Sequence, residues 1–301
     1  MDVRSPTDMA RHLTRAGYVA DLGVATAVFL SLRLNRPLLL EGEPGVGKTS
    51  LALALAKSFD RPLVRLQCYY GIDAKSAVYD WNYTRQMLAI RLAEEKQGTA
   101  PELEDIFGRE FLIARPILTA LTMSPAPVLL IDEVDRTDEA FEALLLEFLG
   151  EYQVSIPEIG TLVAREPPVV ILTSNRTRDM HDALRRRCLY AWIDYPDPDR
   201  ERAILKSQCP DLGESVRDQV VAFVARLRQE PFVKRPGLAE SIAWAEALQA
   251  LGTRVLTAAV VESTMGLLLK YYDDWELLRR PGPHQHSSVT QWLEESGIIG
   301  R

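Results

Sequence analysis

The chain has 301 residues, of which 47% are hydrophobic and 26% are charged, and its formal net charge is −7. This composition is ordinary for a globular protein of one or two domains. The negative charge argues against non-specific binding to nucleic acid or anionic lipid, although it leaves room for a local basic patch. Acidic residues interrupt the N-terminal region, and its longest apolar run, GVATAVFLSL, is too short to span a membrane. We therefore expect a cytoplasmic protein, with peripheral membrane association left open.

The cysteines and histidines point to no metal site. Cys68, Cys188 and Cys209 have neither CxxC spacing nor a nearby histidine pair, so the sequence predicts neither a zinc site nor a disulfide framework. A small, odd number of cysteines fits a reducing compartment. His284 and His286 lie in the stretch RPGPHQHSS, which is typical of a polar loop.

The first two thirds of the chain alternate between apolar runs and helical periods. Residues 8–34 have a helical period, and the run RPLLLEG then predicts a short strand before the loop GEPGVGKT and the amphipathic helix SLALALAKSF. Four further apolar strands are predicted, at residues 62–68, 126–133, 167–175 and 189–195. Such strands, separated by helices, indicate an α/β fold with a five-stranded parallel sheet that is buried on both faces.

The pattern changes at the Pro-rich stretch DYPDPD, because no strand signal follows it and four later segments have helical periodicity, the last being RVLTAAVVESTMGLLLKYY. We predict an α/β domain over residues 1–196, a smaller all-α domain over 197–280 and a C-terminal tail over 281–301. Two inserts interrupt the α/β pattern, at about 69–117 and at 152–168. The second insert alternates apolar and polar residues around a glycine, which predicts a β-hairpin.

The loop GEPGVGKT matches the phosphate-binding pattern G-x-x-x-x-G-K-[ST], with an apolar strand before it and a helix after it. The glycines of such a loop let backbone N–H groups face the β- and γ-phosphates, and the helix N-terminus adds its positive end. Lys48 would reach the phosphate oxygens, and the Thr49 hydroxyl would bind Mg²⁺. The sequence therefore predicts a site for ATP and Mg²⁺ that is built from Gly42, Glu43, Pro44, Gly45, Val46, Gly47, Lys48, Thr49 and Ser50.

Two further strands end in polar residues that suit NTP hydrolysis. Asp132 closes the strand VLLID, where a carboxylate suits a Mg²⁺ ligand, and Glu133 follows it, where it can activate the attacking water as a general base. Asn175 closes the strand VVILTS with an amide that could hold this water. The plain alternatives are an acidic helix start and a turn-forming asparagine. Kinases that use such a loop need no glutamate there, so the Asp-Glu pair favours hydrolysis.

With these motifs in this order, the chain resembles AAA+ ATPases over about residues 10–270. In that family's terms, Walker B is Asp132 and Glu133, and sensor 1 is Asn175. Within AAA+ proteins the chain is similar to the MoxR family, because LLIDEVDRTDEAFEALLLEFLGE looks like that family's Walker B motif and the helix after it. The stretch LQCYYGIDAKSAVYDWNYTRQML looks like the CoxD-like subgroup, which assists maturation of carbon monoxide dehydrogenase.

The resemblance implies a P-loop NTPase core followed by an all-α lid domain. It implies a homo-oligomeric ring, usually a hexamer, with ATP bound between subunits, and it implies adenine contacts from Tyr18 and Val19 in the stretch GYVAD. It also implies a partner with a von Willebrand factor A domain, and chaperone-like remodelling or cofactor maturation of a metalloenzyme client, such as a molybdenum hydroxylase. No nucleic acid is expected to bind.

Three consecutive arginines, Arg185, Arg186 and Arg187, precede the last predicted strand of this acidic chain. They suit a solvated helix end, a nucleic-acid patch or a group aimed at a phosphate. The resemblance places Arg187 at the arginine finger, although the family's usual Asp-Arg-Phe is here Arg-Arg-Cys. A finger contributes about 10³–10⁵ in rate, whereas a cation at a solvated helix end gains about 1 kcal/mol at most. Arg185 and Arg186 are then expected to support the finger or to pair at the interface, with Arg136 as a second candidate for a contact across it.

The chain departs from the family pattern at sensor 2, where a lid helix usually starts with an arginine. The stretch VKRPGLAESIAW has Leu238 and Ala239 there, so either Lys234 or Arg235 takes the role or the role is absent.

Two other functions compete with client remodelling. A nucleic-acid motor, such as a helicase or restriction-type translocase, is disfavoured by the acidic charge and by the predicted hairpin, whose one cation is Arg165. A nucleotide-gated scaffold without catalysis is disfavoured by Glu133 and Asn175.

Overall fold

The computed structural model describes residues 3–97, 106–279, 288–295 and 297–298. The chain forms two compact units, which we call the α/β unit and the helical unit. The α/β unit comprises Met1–Ala16, Ala20–Gly42 and Lys48–Trp192, and the helical unit comprises Gly17–Val19, Glu43–Gly47 and Ile193–Arg301. The predicted polar loop with His284 and His286 lies outside the described residues.

A five-stranded parallel sheet forms the centre of the α/β unit, in the strand order β2-β5-β8-β1-β9. All residues of β1 and β5 are buried, as continuous apolar runs require in a sheet that is covered on both faces. The α/β fold predicted from the sequence is therefore confirmed. The strands of the described chain are β1 (Leu38–Gly42), β2 (Leu63–Gln67), β3 (Tyr79–Trp81), β4 (Leu112–Ala114), β5 (Val128–Asp132), β6 (Gln153–Ile156), β7 (Gly160–Val163), β8 (Val169–Ser174) and β9 (Leu189–Ile193).

The parallel register brings the carboxyl ends of the strands to one edge of the sheet. In register, Gln67 of β2 lies beside Asp132 of β5, and Glu41 of β1 lies beside Ser174 of β8. Polar side chains that follow different strands in the sequence therefore meet at this edge, where open α/β sheets bind their ligands.

Helices cover this sheet, and several of them begin at a side chain that caps the first turn. Asp138, for example, accepts a hydrogen bond from Phe141 N at 2.9 Å. The helices of the α/β unit are α1 (Pro6–Arg15), α2 (Leu22–Leu34), α3 (Lys48–Ser58), α4 (Ala74–Ala77), α5 (Tyr83–Gln97), α6 (Pro116–Thr122), α7 (Glu139–Glu151) and α8 (Asp182–Arg187), with 3₁₀ turns at Arg109–Phe111 and Val134–Arg136.

The prediction of one helix over residues 8–34 is wrong. The first helix ends at Arg15, and Gly17 has a φ of +95°, a left-handed conformation that an α-helix cannot continue through. The next helix then starts anew, because Asp21 accepts a hydrogen bond from Val24 N at 2.7 Å and so caps α2.

The two inserts have structure of their own. The first contains α4, α5 and the antiparallel pair β3–β4, in which Trp81 lies beside Leu112. The second is the antiparallel pair β6–β7, which turns through Gly160 at a φ of +89° and pairs Ile156 with that glycine. Residues 98–105 of the first insert lie outside the described residues.

From Pro196 onward the described residues contain helices and no strand. Their core packs Phe223 against Trp244, with ring centroids 5.6 Å apart, and the indole N–H donates to Thr264 Oγ1 at 2.8 Å. None of the described helices has the length and apolar character that a membrane span needs. The helices are α9 (Pro198–Gln208), α10 (Glu214–Leu227), α11 (Leu238–Ala250), α12 (Ala258–Thr264), α13 (Tyr272–Arg279) and α14 (Ser288–Glu295).

The stretch RVLTAAVVESTMGLLLKYY, which has helical periodicity in the sequence, is divided in the structure. Helix α12 begins only after Thr257, which caps it through Val260 N, and it changes to a 3₁₀ turn at Met265–Leu267. Gly266 lies in this turn, and glycine is among the poorest residues for continuing an α-helix.

Candidate active site

The end of the glycine-rich loop lies at the carboxyl edge of the sheet. Helix α3 begins at Lys48, whose buried ammonium group donates to Gly42 O at 2.7 Å. The hydroxyl of Thr49 lies 3.2 and 3.4 Å from the two carboxylate oxygens of Asp132, at the end of β5. Ser50, the next residue of α3, is exposed. The structure therefore brings together the two residues that the sequence predicts as Mg²⁺ ligands.

Asp132 is buried and accepts hydrogen bonds from both neighbouring strands. From β8, the Thr173 hydroxyl donates to Oδ1 at 2.5 Å, and from β2, Arg65 Nη2 donates to Oδ2 at 2.5 Å. The side chain of Arg65 is 52% exposed, whereas that of Asp132 is 5% exposed. Sequence reasoning missed Arg65 and Thr173, because their contact with Asp132 depends on the order of the strands.

Glu133 has a left-handed backbone, with a φ of 58°, and non-glycine residues in this conformation cluster at functional sites. Its N–H donates to the Thr173 hydroxyl at 2.9 Å. Its Oε2 accepts from Gln67 Nε2 at 2.9 Å and lies 3.2 Å from Arg136 Nε, and its Oε1 lies 3.5 Å from Asn175 Nδ2. Three polar side chains thus hold the carboxylate that the sequence predicts as the general base.

Gln67 is a further site residue that sequence reasoning missed. It is the last residue of β2 and lies in register with Asp132, so a polar residue at the carboxyl end of a strand was the available signal. Arg136, predicted as a contact across a subunit interface, here pairs with Glu133 of its own chain.

A second buried carboxylate, Glu41 of β1, joins four elements of the α/β unit. It accepts from Arg185 Nη2 of α8 at 2.9 Å, from the Tyr190 hydroxyl of β9 at 3.1 Å and from the Ser174 hydroxyl of β8 at 3.4 Å. Burial, followed by the charge of Glu41, raises the pKa of Tyr190. Since Ser174 directly precedes Asn175, this carboxylate fixes the end of the strand that carries the predicted sensor.

The three consecutive arginines have different surroundings. Arg185 binds Glu41, whereas Arg186 is largely exposed and lies 3.8 Å from Asp182. The exposed guanidinium of Arg187 lies against Gly150, where a Cβ would collide with it. Within the described part of the chain, no carboxylate pairs with Arg187. The carbonyl oxygens of the last two arginines accept from Arg36, at 2.7 and 3.3 Å.

The tip of the glycine-rich loop belongs to the helical unit. Gly45 and Gly47 have φ values of +80° and +98°, which side chains rarely permit. Gly45 O accepts from Ala239 N at 3.0 Å. The ring of Tyr18 lies next to Gly47, at 3.7 Å from where a Cβ would be, and Val19 O accepts from Arg200 Nε at 2.9 Å. The structure thus brings the predicted adenine segment next to the loop.

The region predicted for sensor 2 has no arginine at the start of α11. Lys234 Nζ lies 3.4 Å from Glu240 Oε1. Lys234 and Arg235 line an open cavity of about 380 Å³, beside Glu43 and Pro44.

One cysteine lies directly behind this site. Cys68 is buried, and its N–H donates to Asp132 O at 2.9 Å. Burial, then the charges of Asp132, Asp135 and Glu133, raise the pKa of its thiol to about 12. It therefore stays protonated near neutral pH and is no nucleophile there.

Comparison with known proteins finds a matching domain family and distant relatives. The AAA domain, in its dynein-related subfamily, matches residues 37–188. An uncharacterized protein of Staphylococcus saprophyticus is 24% identical over 203 residues, which are 65% of this chain and 70% of that protein. An uncharacterized protein of Staphylococcus haemolyticus is 26% identical over 201 residues, which are 65% of this chain and 69% of that protein.

Among solved structures, a RuvB mutant of Thermotoga maritima is 15% identical, with a TM-score of 0.49, over 99% of this chain and 87% of that one. The structure titled Thermotoga maritima RuvB Holliday junction branch migration motor is also 15% identical, with a TM-score of 0.46, over 99% of this chain and 85% of that one.

Proposed function

This chain belongs to the AAA domain family, in its dynein-related subfamily, and is an ATPase; on that premise we propose that it hydrolyses ATP to remodel a protein client. The proposal for the chemistry rests chiefly on Glu133, which has a strained backbone and a carboxylate between Gln67 and Asn175. A carboxylate in this position can take a proton from the attacking water, and the amide of Asn175 can orient that water.

The residues at the end of the loop fit ATP and Mg²⁺. Thr49 and Asp132 place a hydroxyl and a carboxylate 3.2 Å apart, and oxygen donors are what Mg²⁺ prefers. The ion would neutralise charge on the β- and γ-phosphates. Lys48 and the backbone N–H groups of the loop would bind the phosphates, and Tyr18 and Val19 would contact the adenine.

We further propose that the active assembly is a ring, with six subunits as in the MoxR family. AAA+ proteins commonly form such rings. The exposed Arg187, which no carboxylate in the described residues neutralises, would act on the γ-phosphate of a neighbouring subunit. A guanidinium can stabilise the charge that develops there during hydrolysis.

The surface of the first insert supports a protein client. Between β2 and the end of α5, large apolar and aromatic side chains are exposed, and exposed apolar surface is typical of sites that bind proteins. They are Tyr69, Tyr70, Tyr83, Met87, Leu88 and Leu92. The CoxD-like motifs within this insert point to a metalloenzyme client, such as a molybdenum hydroxylase, and to a partner with a von Willebrand factor A domain.

The client can be identified with a variant that binds ATP without hydrolysing it. Glu133→Gln should hold ATP and remain bound to its client, so affinity purification in the presence of ATP, followed by mass spectrometry, should recover a metalloenzyme and a von Willebrand A protein. Lys48→Ala, which should not bind ATP, is the matched control. If DNA stimulates the ATPase several-fold, or if the trap recovers DNA-processing proteins, a nucleic-acid motor is the better assignment.

A further inference from the structure

The tip of the glycine-rich loop is packed against the start of α11, backbone to backbone. The N–H of Ala239 donates to Gly45 O at 3.0 Å. A Cβ on Gly45 would lie only 3.0 Å from Glu240 Oε2 and 3.7 Å from Gly237 Cα. Both segments lie within the helical unit. The loop tip is therefore held by a helix that lies about 190 residues further along the chain in the sequence.

Gly237 is the residue that allows this close approach. Its φ of −79° and ψ of −179° are accessible to any residue, so the backbone conformation does not require glycine. The surroundings do: a Cβ there would lie 2.7 Å from Glu240 Oε2, 3.0 Å from Pro44 O and 3.4 Å from Gly45 Cα. Since the last two are backbone atoms of the loop, a side chain at residue 237 has to displace the loop by a few tenths of an ångström, and it also displaces the Glu240 carboxylate.

Two side chains, those of Glu240 and Arg228, hold the start of α11 in place. Glu240 Oε2 accepts from Gly237 N at 3.0 Å, and the carboxylate is largely buried. Arg228 donates to Pro236 O at 2.9 Å and to the Ser241 hydroxyl at 3.2 Å, and it also forms a two-bond ion pair with Glu201. The helix start is thus tied to α9 and α10 on one side and to the loop tip on the other.

This packing fixes the direction of a phosphate-binding donor. In a trans peptide the C=O and N–H bonds point in opposite directions within one plane. Because the C=O of Gly45 is held by α11, the N–H of Val46 in the same peptide must point away from α11. Gly45 and Gly47, with positive φ values on either side of Val46, give the loop the curvature that aims such N–H groups at one anion.

We propose that the start of α11 sets the orientation of the Gly45–Val46 peptide, and that Gly237 and Glu240 are positioning residues for phosphate binding in this ATPase. The inference rests on the proposed ATP site, which it extends to a helix outside the sequence motifs. A sensor 2 arginine was expected at the start of α11, but Leu238 and Ala239 lie there. In this chain, the helix contacts the nucleotide loop through backbone packing.

The chain offers a matched pair of glycines for the test. Gly213 and Gly237 both precede a helix, both have a negative φ and neither has a side chain to cap it, but a Cβ on Gly213 would meet nothing within 4 Å. Gly237→Ala should weaken the binding of mant-ATP with Mg²⁺ about tenfold or more, since a hydrogen bond to a charged group is misaligned. It should raise KM and change kcat less. Gly213→Ala should bind as the wild type does.

Variants of Glu240 separate positioning from folding. Glu240→Gln keeps an acceptor for Gly237 N and should bind mant-ATP within about twofold of wild type, whereas Glu240→Ala should bind it several-fold more weakly. If Glu240 only capped the helix, Glu240→Ala would lower the thermal midpoint of the nucleotide-free protein and leave the KM for ATP unchanged.

The inference is overturned if folded Gly237→Ala binds mant-ATP like Gly213→Ala. If Gly237→Ala does not fold, the Glu240 pair decides, and equal affinities of Glu240→Gln and Glu240→Ala overturn the inference. If the wild type binds no mant-ATP, both the proposed site and this inference are overturned. If the wild type and Gly237→Ala bind mant-ATP equally well, only this inference is overturned.

Discussion

Both units of this protein bury a carboxylate against an arginine, and the two pairs are built differently. In the α/β unit, one oxygen of Asp132 binds Arg65 at 2.5 Å, and the arginine is half exposed. In the helical unit, Glu201 and Arg228 are 1% and 10% exposed and share two hydrogen bonds, of 2.7 and 2.9 Å. Both carboxylates are buried, but Asp132 keeps the hydrogen bonds from Thr49 and Thr173 when Arg65 turns towards solvent. Among the described residues, only Arg228 is seen to pair with the Glu201 carboxylate, so opening the second pair would leave a buried charge without a partner.

The difference suits two roles: Asp132 is proposed to bind an ion, whereas Glu201 holds helices of the helical unit together. A carboxylate that is to bind Mg²⁺ must exchange one cation for another, and a single contact with an exposed arginine permits that exchange. Glu201 needs no such exchange. It forms a two-bond pair with Arg228, which also donates to Pro236 O and to the Ser241 hydroxyl and so connects three helical segments.

The largest effect is expected at Arg187, an exposed arginine that pairs with no carboxylate in the described part of the chain. Arg187→Ala should keep ATP binding and lose about 10³–10⁵ in turnover, because a finger acts only on the transition state. Arg186→Ala, an exposed neighbour on the same helix, should stay within about tenfold of wild type and serves as the control. The measurement is phosphate release at saturating Mg-ATP, with mant-ATP binding measured in parallel.

Action in trans gives this prediction a second test. Arg187→Ala mixed with Lys48→Ala should recover part of the activity, because some interfaces then combine an intact loop with an intact finger. If mixed assemblies are demonstrated by mass spectrometry and no activity returns, Arg187 does not act on a neighbouring subunit.

The next effect concerns stability and probes the two ion pairs directly. Arg228→Ala should lower the free energy of unfolding by about 3–5 kcal/mol, because Glu201 is left buried without a partner. Arg65→Ala should change it by about 1 kcal/mol or less, since the arginine is half exposed and Thr49 and Thr173 still donate to Asp132. Urea unfolding at pH 7 measures both free energies, and equal losses for the two variants would contradict the different roles of Asp132 and Glu201.

A smaller effect is expected at Gln67, which donates to Glu133 at 2.9 Å. Gln67→Ala should lower kcat about tenfold with little change in KM, because the general base loses one of the groups that orient it. Gln67→Glu should be worse, since a second carboxylate would lie beside Glu133. A normal kcat in Gln67→Ala would show that Asn175 and Arg136 suffice to hold the base.

The effect at Cys68, behind the site, is absent at neutral pH and appears only in alkaline solution. Burial raises the pKa of Cys68 from 9.0 to about 12, so the folded state keeps this thiol protonated where the unfolded chain loses the proton. The folded protein therefore loses stability from this group as pH rises from 9 towards 12. The difference in free energy of unfolding between wild type and Cys68→Ala should shrink over that interval, and a constant difference would contradict the shifted pKa.

The sequence predicted the sheet and the residues that follow its strands, because these lie in continuous motifs: the glycine loop, the Asp132–Glu133 pair and Asn175. It did not predict Arg65, Gln67 and Thr173. Their contacts depend on β2 and β8 lying on either side of β5, which is a property of the strand order. The available local signal was Gln67, a polar residue at the carboxyl end of its strand.

The same limit applies to local breaks and to the loop tip. Helical periodicity ran through Gly17 and Gly266, but the left-handed backbone of Gly17 follows the end of α1, and α12 changes to a 3₁₀ turn that contains Gly266. Nothing in the stretch VKRPGLAESIAW indicated that Gly237 would touch Pro44 O, because a requirement for close approach becomes visible only when both segments are placed.

The central claim is that Glu133 activates water for ATP hydrolysis at this site. It is tested most directly by phosphate release and mant-ATP binding, measured on wild type and Glu133→Gln under identical conditions. We expect the wild type to release phosphate with Mg-ATP, and Glu133→Gln to bind the nucleotide with similar affinity and to turn over about 10²–10⁴ times more slowly. Normal turnover by Glu133→Gln would contradict the assignment.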